Sequence, residues 1–565
     1  MKKEGNKNLK TIRNVVIILI ALIIIALIFA FAKNFMKDEK DNKIAMIINN
    51  RDVTERLKKE IFIDEKGVIY VSKADIANFF DEYIYNDEDS KQIITTYGTK
   101  VAAVSMEQNK MTVNGGTTNI LNTIVQKDNT YYMPFSEMND IYNVEIKYIK
   151  DTNIIIVDSL DKEQIKYTAN KNISIKYKAS GISKTVDKVK KGEKVIYISS
   201  TEKGWAKVRT ENGKIGYVKE NKLTNKIYVR ENIEQQKENK KISLIWDYYS
   251  EYAKAPNRTG TTIEGVNVVS PAFFMLEKGE NGTLFDNVGT SGQAYIEWAK
   301  SNNYEIWPMV SNNSLKDTTS NILNNYEHRQ LLIENIVNMA IKYKLDGINI
   351  DFEYMYQADK DKFSRFIIEL SPRLKEIGAK LSVDVTAPDG SADWSLCYDR
   401  HVIGNVADYI VFMAYDQYGT SSNKAGTTAG YNWVETNVNK FVGIQEEVPP
   451  AKVILGIPFY TRLWKEDSDG KISSVTVNMK AVDVVLPANV ERVWDDTLKQ
   501  YYVEYEQEGY TYKMWIEDER SIKAKLSLMQ QYNLGGVAFW EKDRETNTIW
   551  SSVAEVIKNW VIKKK

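Results

Sequence analysis

The sequence predicts a multidomain chain whose C-terminal part is a (β/α)8 TIM barrel with a small α+β insertion. An α+β repeat module, a small all-β barrel and one N-terminal transmembrane helix precede it. Three observations carry this expectation. Over the last ~320 residues, apolar strand-like runs alternate with amphipathic helical stretches. Before them, residues 163–224 read as short strands parted by Gly-bearing turns. At the start, residues 14–32 form an apolar run that no charge interrupts. The length of 565 residues agrees, being enough for about three or four domains.

Composition narrows the chemistry. Lys+Arg and Asp+Glu number 76 each, so no net charge draws the chain to nucleic acid, and none is expected as a partner. Cys397 is the single thiol and His328 and His401 the only histidines, which excludes an internal disulfide and a multi-cysteine zinc site. A Ser-His-Asp triad or His-rich metal centre has almost nothing to draw on, and no metal or cofactor is expected. Carboxylates, 34 Tyr and 12 Trp remain as the reactive and stacking groups.

Residues 1–13 carry Lys2, Lys3, Lys7, Lys10 and Arg13 against Glu4. This basic tail stays in the cytoplasm by the positive-inside rule, and the apolar run at 14–32 is long enough to span a bilayer as a signal-anchor. The expectation is a single-pass membrane protein with its C-terminal domains outside. Ala30-Phe31-Ala32 resembles a signal-peptidase site, so secretion after cleavage near Ala32 is the alternative. Residues 33–43 form a charged stalk. The lack of disulfides in an exported chain suits a Gram-positive-type surface.

In residues 44–162, Tyr70-Val71-Ser72-Lys73-Ala74-Asp75-Ile76 is echoed by Tyr132-Met133-Pro134-Phe135-Ser136-Glu137-Met138. Each follows a polar turn and enters an amphipathic stretch. The module resembles the small repeat at the N-terminus of copper amine oxidases, without clustered metal ligands, and reads as a spacer or wall contact. Residues 163–224 give five short strands, and their order resembles a bacterial SH3-like domain, which implies attachment to the cell wall. Trp205 reads equally as a ligand-facing ring or as the core of so small a barrel. Residues 225–241 read as a charged linker.

From residue 242 to 565, candidate strands fall at 242–248, 266–274, 304–311, 347–353, 380–387, 409–415, 453–459 and 535–540, with an insertion at about 465–517. Chemistry on such a barrel sits at the C-terminal ends of the strands. Along the fourth strand, Asn349, Asp351 and Glu353 share one face, and Ile348, Ile350 and Phe352 the other. The apolar set belongs under the helices and the polar set inside. Two carboxylates buried side by side raise one pKa, which a general acid at neutral pH requires.

This strand, Asp346-Gly347-Ile348-Asn349-Ile350-Asp351-Phe352-Glu353, resembles the Asp-x-x-Asp-x-Asp-x-Glu signature of family 18 glycoside hydrolases, the chitinase-like barrels. Met413-Ala414-Tyr415-Asp416, Gly456-Ile457-Pro458-Phe459-Tyr460 and Gly535-Gly536-Val537-Ala538-Phe539-Trp540 resemble the family's sixth, seventh and eighth strands, and Val268-Val269-Ser270-Pro271 its second. Asn349 departs from the pattern at the second aspartate; an amide there can hydrogen-bond Asp351 but cannot share a proton with it.

The resemblance implies substrate-assisted retaining catalysis, with the catalytic roles on Glu353, Asp351 and Tyr415. Glu353 protonates the glycosidic oxygen while the substrate's 2-acetamido carbonyl attacks the anomeric carbon. Asp351 orients the acetamido group, Tyr415 donates to its oxygen and Trp540 floors the sugar. Asn349 and Asp416 join the substrate-binding set, with Arg462 and Trp464 as weaker subsite candidates. The implied activity is cleavage of β-1,4 bonds in an N-acetylglucosamine-containing glycan. Peptidoglycan is favoured by the wall-type modules, with chitin or another N-acetylated polysaccharide as the alternative. A non-catalytic, lectin-like wall protein is a further alternative.

Overall fold

A computed structural model describes residues 20–24, 43–201, 203–230, 240–279 and 281–562. The basic tail 1–13, most of the 14–32 run, the stalk up to residue 42 and linker residues 231–239 lie outside the described residues. Residues 20–24 are helical, and no described helix is long and apolar enough to cross a membrane. The chain forms two compact units.

The first unit gathers residues up to Glu82 together with Glu107–Asn109 and Asn119–Gln235. The two echoed segments become antiparallel neighbours here. Strands Ile69–Ser72 and Thr130–Pro134 pair with Tyr132 opposite Ser72 and Pro134 opposite Tyr70. The Ser72 side chain then caps helix Lys73–Phe79 by accepting from the Asp75 amide. A seven-stranded antiparallel sheet follows, two strands more than expected. Its last strand, Leu223–Arg230, pairs along Gln164–Ala169, so the first residues of the expected linker are ladder rather than tether. Trp205 is buried, with the Lys219 ammonium 4.8 Å from its ring centroid, so the ring belongs to the core.

The second unit is built on eight parallel strand positions. They are β1 (Ile242–Asp247), β2 in two pieces (Val268–Pro271 and Phe274–Leu276), β3 in two pieces (Glu305–Ile306 and Met309–Ser311) and β4 (Gly347–Asp351). Then come β5 (Lys380–Val385), β6 (Tyr409–Met413), β7 (Val453–Pro458) and β8 (Gly536–Trp540). Each pairs with the next, and β8 pairs with both β7 and β1, so the ladder returns to its first strand and leaves no edge among these eight. Pro271 and Pro308 lie at the breaks of β2 and β3, where a residue without an N–H cannot continue a ladder.

Helices α1 (Gly289–Ser301), α2 (Lys316–Asn324), α3 (Tyr326–Tyr343), α4 (Lys360–Glu376), α5 (Arg400–Val406), α6 (Tyr431–Val442), α7 (Glu519–Gln531) and α8 (Ile549–Ile562) alternate with the strands. The segment from β1 to β2 is loop. One continuous apolar core joins ring and helices, with Trp246 and Trp307 fully buried in it. The insertion is a five-stranded antiparallel sheet that starts at Tyr460, earlier than expected, and runs to Ile516.

Residues 83–106 and 110–118 also belong to this unit. They form an antiparallel meander whose Tyr85, Ile94, Val101 and Ala103 pack against Tyr326 of α3. Beneath it, the fully buried Arg329 donates to Tyr85 Oη (2.6 Å), to Asp87 Oδ2 (3.3 Å) and to Glu369 Oε2 of α4 (3.2 Å). The stretch read as one 44–162 module is thus divided between the two units, and its middle sets Tyr85 and Asp87 against Arg329 of α3.

Candidate active site

β4 needs Gly347 because of a close approach. A Cβ there would lie 2.7 Å from the Trp307 indole. Asp346, just before it, accepts from the Ile306 amide of β3 at 3.0 Å and sets the register. On the outer face, Phe352 stacks on Phe366 of α4 with centroids 5.7 Å apart. On the inner face, Asn349 is fully buried and Asp351 is 7% exposed. The ladder stops at Asp351, and other groups hold Glu353 beyond it. Its N–H donates to Asn312 Oδ1 (3.0 Å) while its carbonyl accepts from Asn312 Nδ2 (2.9 Å). The carbonyl of Phe352 accepts from Tyr398 Oη (2.7 Å).

The two carboxyls interact strongly. Burial, then the nearby charge of Asp351, holds Glu353 well above the usual carboxyl range. Burial lifts Asp351 to about 6, opposed by the hydrogen bond from Glu353. Of the two, Glu353 is thus the group that holds a proton more tightly, and the two carboxyls are joined by a hydrogen bond. Asp351 Oδ1 is buried with no hydrogen-bond partner.

Asn349 does not bond Asp351 as expected. Its Nδ2 donates to Asp384 Oδ1 (2.7 Å) and Ser382 Oγ (3.0 Å), while its Oδ1 accepts from Trp246 Nε1 (2.8 Å) and Ser270 Oγ (3.3 Å). The polar inward positions of β1, β2 and β5 use up the amide, leaving nothing for Asp351.

Tyr415 and Asp416 follow β6, and Trp540 ends β8. The Tyr415 and Trp540 rings face each other at 6.5 Å, and Trp246 and Tyr248 flank Trp540 at 5.7 and 5.8 Å. Burial pushes the Tyr415 hydroxyl well above its ordinary pKa, so it remains a neutral donor. Asp416 Oδ1 accepts from Tyr460 Oη and Arg462 Nη2, both at 2.8 Å. Seven of the eight residues singled out from the sequence are thus linked around the upper ends of β4, β6 and β8. Trp464 is not among them. It is 1% exposed, and its indole donates to the Gly426 carbonyl at 2.8 Å, closing the insertion onto a loop.

The sequence reading passed over Asp384, Asn312, Trp246 and Tyr398. Asp384 had a signal: Ser382, Asp384 and Thr386 alternate with apolar residues along β5 as Asn349 and Asp351 do along β4. Asn312 and Tyr398 act through main-chain contacts between loops, for which spacing gives no sign.

Across residues 244–545 the chain matches the model of the glycosyl hydrolases family 18, and the match takes in β4, Tyr415, Asp416 and Trp540. The chain belongs to glycosyl hydrolase family 18. This family 18 chain also matches the bacterial SH3 domain over residues 177–223. It is 26% identical over 298 residues to an uncharacterised glycosylase of Bacillus subtilis, YvbX, covering 51% of this chain and 84% of that protein. It is likewise 26% identical over 305 residues to a cortical fragment-lytic enzyme of Bacillus anthracis, covering 52% and 68% respectively. Among solved structures, a chitinase of Chromobacterium violaceum is similar with a TM-score of 0.50 and 25% identity, over 56% of this chain and 99% of that one. Family membership makes the chain a glycosidase.

Proposed function

We propose that this glycosidase cleaves β-1,4 bonds of an N-acetylglucosamine-containing glycan, peptidoglycan before chitin, by substrate-assisted retaining catalysis. One observation carries the reading: the carboxyls of Glu353 and Asp351 are buried together and hydrogen-bonded at the end of β4, and burial with the neighbouring charge holds Glu353 well above the usual carboxyl range, as a general acid requires. In this reading the ring of strands is a (β/α)8 barrel with its site at the C-terminal face. Glu353 protonates the leaving oxygen, and the 2-acetamido carbonyl of the same sugar closes on the anomeric carbon to give an oxazolinium ion. The free Oδ1 of Asp351 orients the acetamido N–H and balances the developing positive charge. Tyr415 donates to the acetamido oxygen, and Trp540 lies under the sugar. Deprotonated Glu353 then takes a proton from water, and configuration is retained.

Peptidoglycan is favoured by the SH3 match, which suits a wall-binding module. In this proposal, residues 14–32 hold the protein on the outer face of the membrane, the parts of residues 44–162 outside the meander act as an amine-oxidase-N-terminal-like spacer, and tethering lets wall binding be weak. Mass spectrometry of products from purified walls tests the substrate. New reducing-end N-acetylglucosamine supports the reading, and muropeptides ending in N-acetylmuramic acid overturn it. Glu353→Gln separates the enzyme from a lectin, because equal release of soluble sugar by variant and parent rules out Glu353 as the acid.

A further inference from the structure

Beside the acid stand two rings that the proposed mechanism leaves unused. Tyr354 directly follows Glu353 and is 51% exposed. Its ring lies 4.8 Å from that of Trp394, half-buried on the loop after β5, at an angle of 42°. The pair belongs to the loops after β4 and β5, across the ring of strands from Trp540 at the end of β8 and from Tyr248 beside it. An acid that protonates a glycosidic oxygen has a sugar on either side of it. The sugar under attack rests on Trp540 in the proposed mechanism, and the departing sugar needs a surface beyond Glu353. We propose that Tyr354 and Trp394 form the platform for the departing sugar, an N-acetylated pyranose of the same glycan. This inference rests on the hydrolytic reading and extends it to the leaving-group side.

The backbone holds this surface open. Tyr354 has a φ of 54°, a left-handed conformation uncommon for an aromatic residue, between Glu353 clamped by Asn312 and the buried Met355. The turn sends Met355 into the core and leaves the Tyr354 ring outside, so packing does not account for that ring. Burial, then the charges of Glu353 and Asp416, raises the Tyr354 hydroxyl above its ordinary pKa, which sets the ring at the border of the site. Trp394 is held from both sides. Its carbonyl accepts from Thr386 Oγ1, while the adjacent Asp393 pairs with Lys316 of α2 and accepts from the Gln357 amide at 3.1 Å. The segments that follow β3, β4 and β5 are thereby laced together, and the two rings are fixed before substrate arrives. Such rings meet the C–H face of a pyranose while its hydroxyl and acetamido groups stay in water.

In the full chain, kcat/KM is measured on two substrates for the parent, Trp394→Leu, Trp394→Phe and Glu353→Gln. One substrate is a soluble N-acetylglucosamine tetramer. The other is the sugar oxazoline of the N-acetylglucosamine dimer, which carries no departing sugar. Leu keeps apolar bulk but removes the flat face, so kcat/KM on the tetramer should fall about tenfold while hydrolysis of the oxazoline stays within about twofold. Phe restores a flat ring and should recover most of the loss. A Leu variant that melts like the parent and loses nothing on the tetramer, or loses as much on both substrates, overturns the proposal. A Phe variant as slow as Leu does the same. Tryptophan emission gives a reading that needs no Leu variant. Adding the tetramer to Glu353→Gln should change the emission, and part of that change should vanish when Trp394→Phe is combined with it; an unaltered change overturns the proposal. If Glu353→Gln cleaves the tetramer like the parent, or the parent leaves the oxazoline intact, the hydrolytic reading fails. If Glu353→Gln is inactive while Trp394→Leu is unaltered, only the platform fails.

Discussion

Asp351 and Glu353 share a proton in a site that desolvates both, and this fixes the direction of their pH dependence. The proposed mechanism needs Asp351 ionised and Glu353 protonated. The rate should therefore rise with pH through about 6, as Asp351 ionises, and fall on the alkaline side as Glu353 loses its proton. A kcat/KM profile on a soluble N-acetylated oligosaccharide checks both limbs. Stability carries the opposite mark. A carboxyl raised from 3.8 to about 6 contributes stability that is complete below its unfolded value and lost as pH climbs through 6. Asp351→Asn should thus match the parent near pH 3.5 and melt higher above pH 7, by up to about 3 kcal/mol, in denaturant titrations at the two pH values.

β4 works as an element because both of its faces are spoken for, and its glycine permits the Trp307 contact. Gly347→Ala places a methyl 2.7 Å from that indole, with Phe352 and the helices blocking any outward shift. A loss of about 1–3 kcal/mol is expected by chemical denaturation. Asn312→Ala removes both clamps on the Glu353 main chain. It should lower kcat about 10- to 100-fold with little change in KM, because the acid moves while the sugar platform stays. The strand pattern was legible in the sequence for a simple reason. Period-two alternation tells inward from outward, and Asn349, Asp351 and Glu353 are polar where Ile348, Ile350 and Phe352 are not. The same rule would have found Asp384 on β5. Arg462 and Trp464 read as subsite residues because they stand just past the end of the seventh strand, where a loop over the site was expected. Instead a new antiparallel strand begins at Tyr460, in which Arg462 serves Asp416 and Trp464 turns into the insertion. Breaks at Pro271 and Pro308 were hidden inside apolar runs.

At the scale of the molecule, the meander of residues 83–118 belongs with the ring, a partnership invisible in sequence because its contacts reach across more than 240 residues of chain. Arg329→Ala takes from the buried Glu369 its nearer cation, leaving Arg365 at 3.9 Å, and should cost about 3 kcal/mol by denaturant titration. By the same logic, a fragment of residues 242–565 exposes Arg329 and Glu369 and should melt below the full chain in calorimetry. Deleting residues 163–230 should lower activity on intact wall while sparing soluble oligosaccharides, and equal wall activity would mark that sheet as a spacer. Catalysis as proposed depends on the substrate's own acetamido group being the nucleophile. The rate of bond cleavage by the full chain on an N-acetylglucosamine oligomer, set against the same oligomer with its acetyl groups removed, tests this most directly. Cleavage of the acetylated oligomer alone, by at least about a thousandfold, is predicted, and comparable rates on the two would contradict the account.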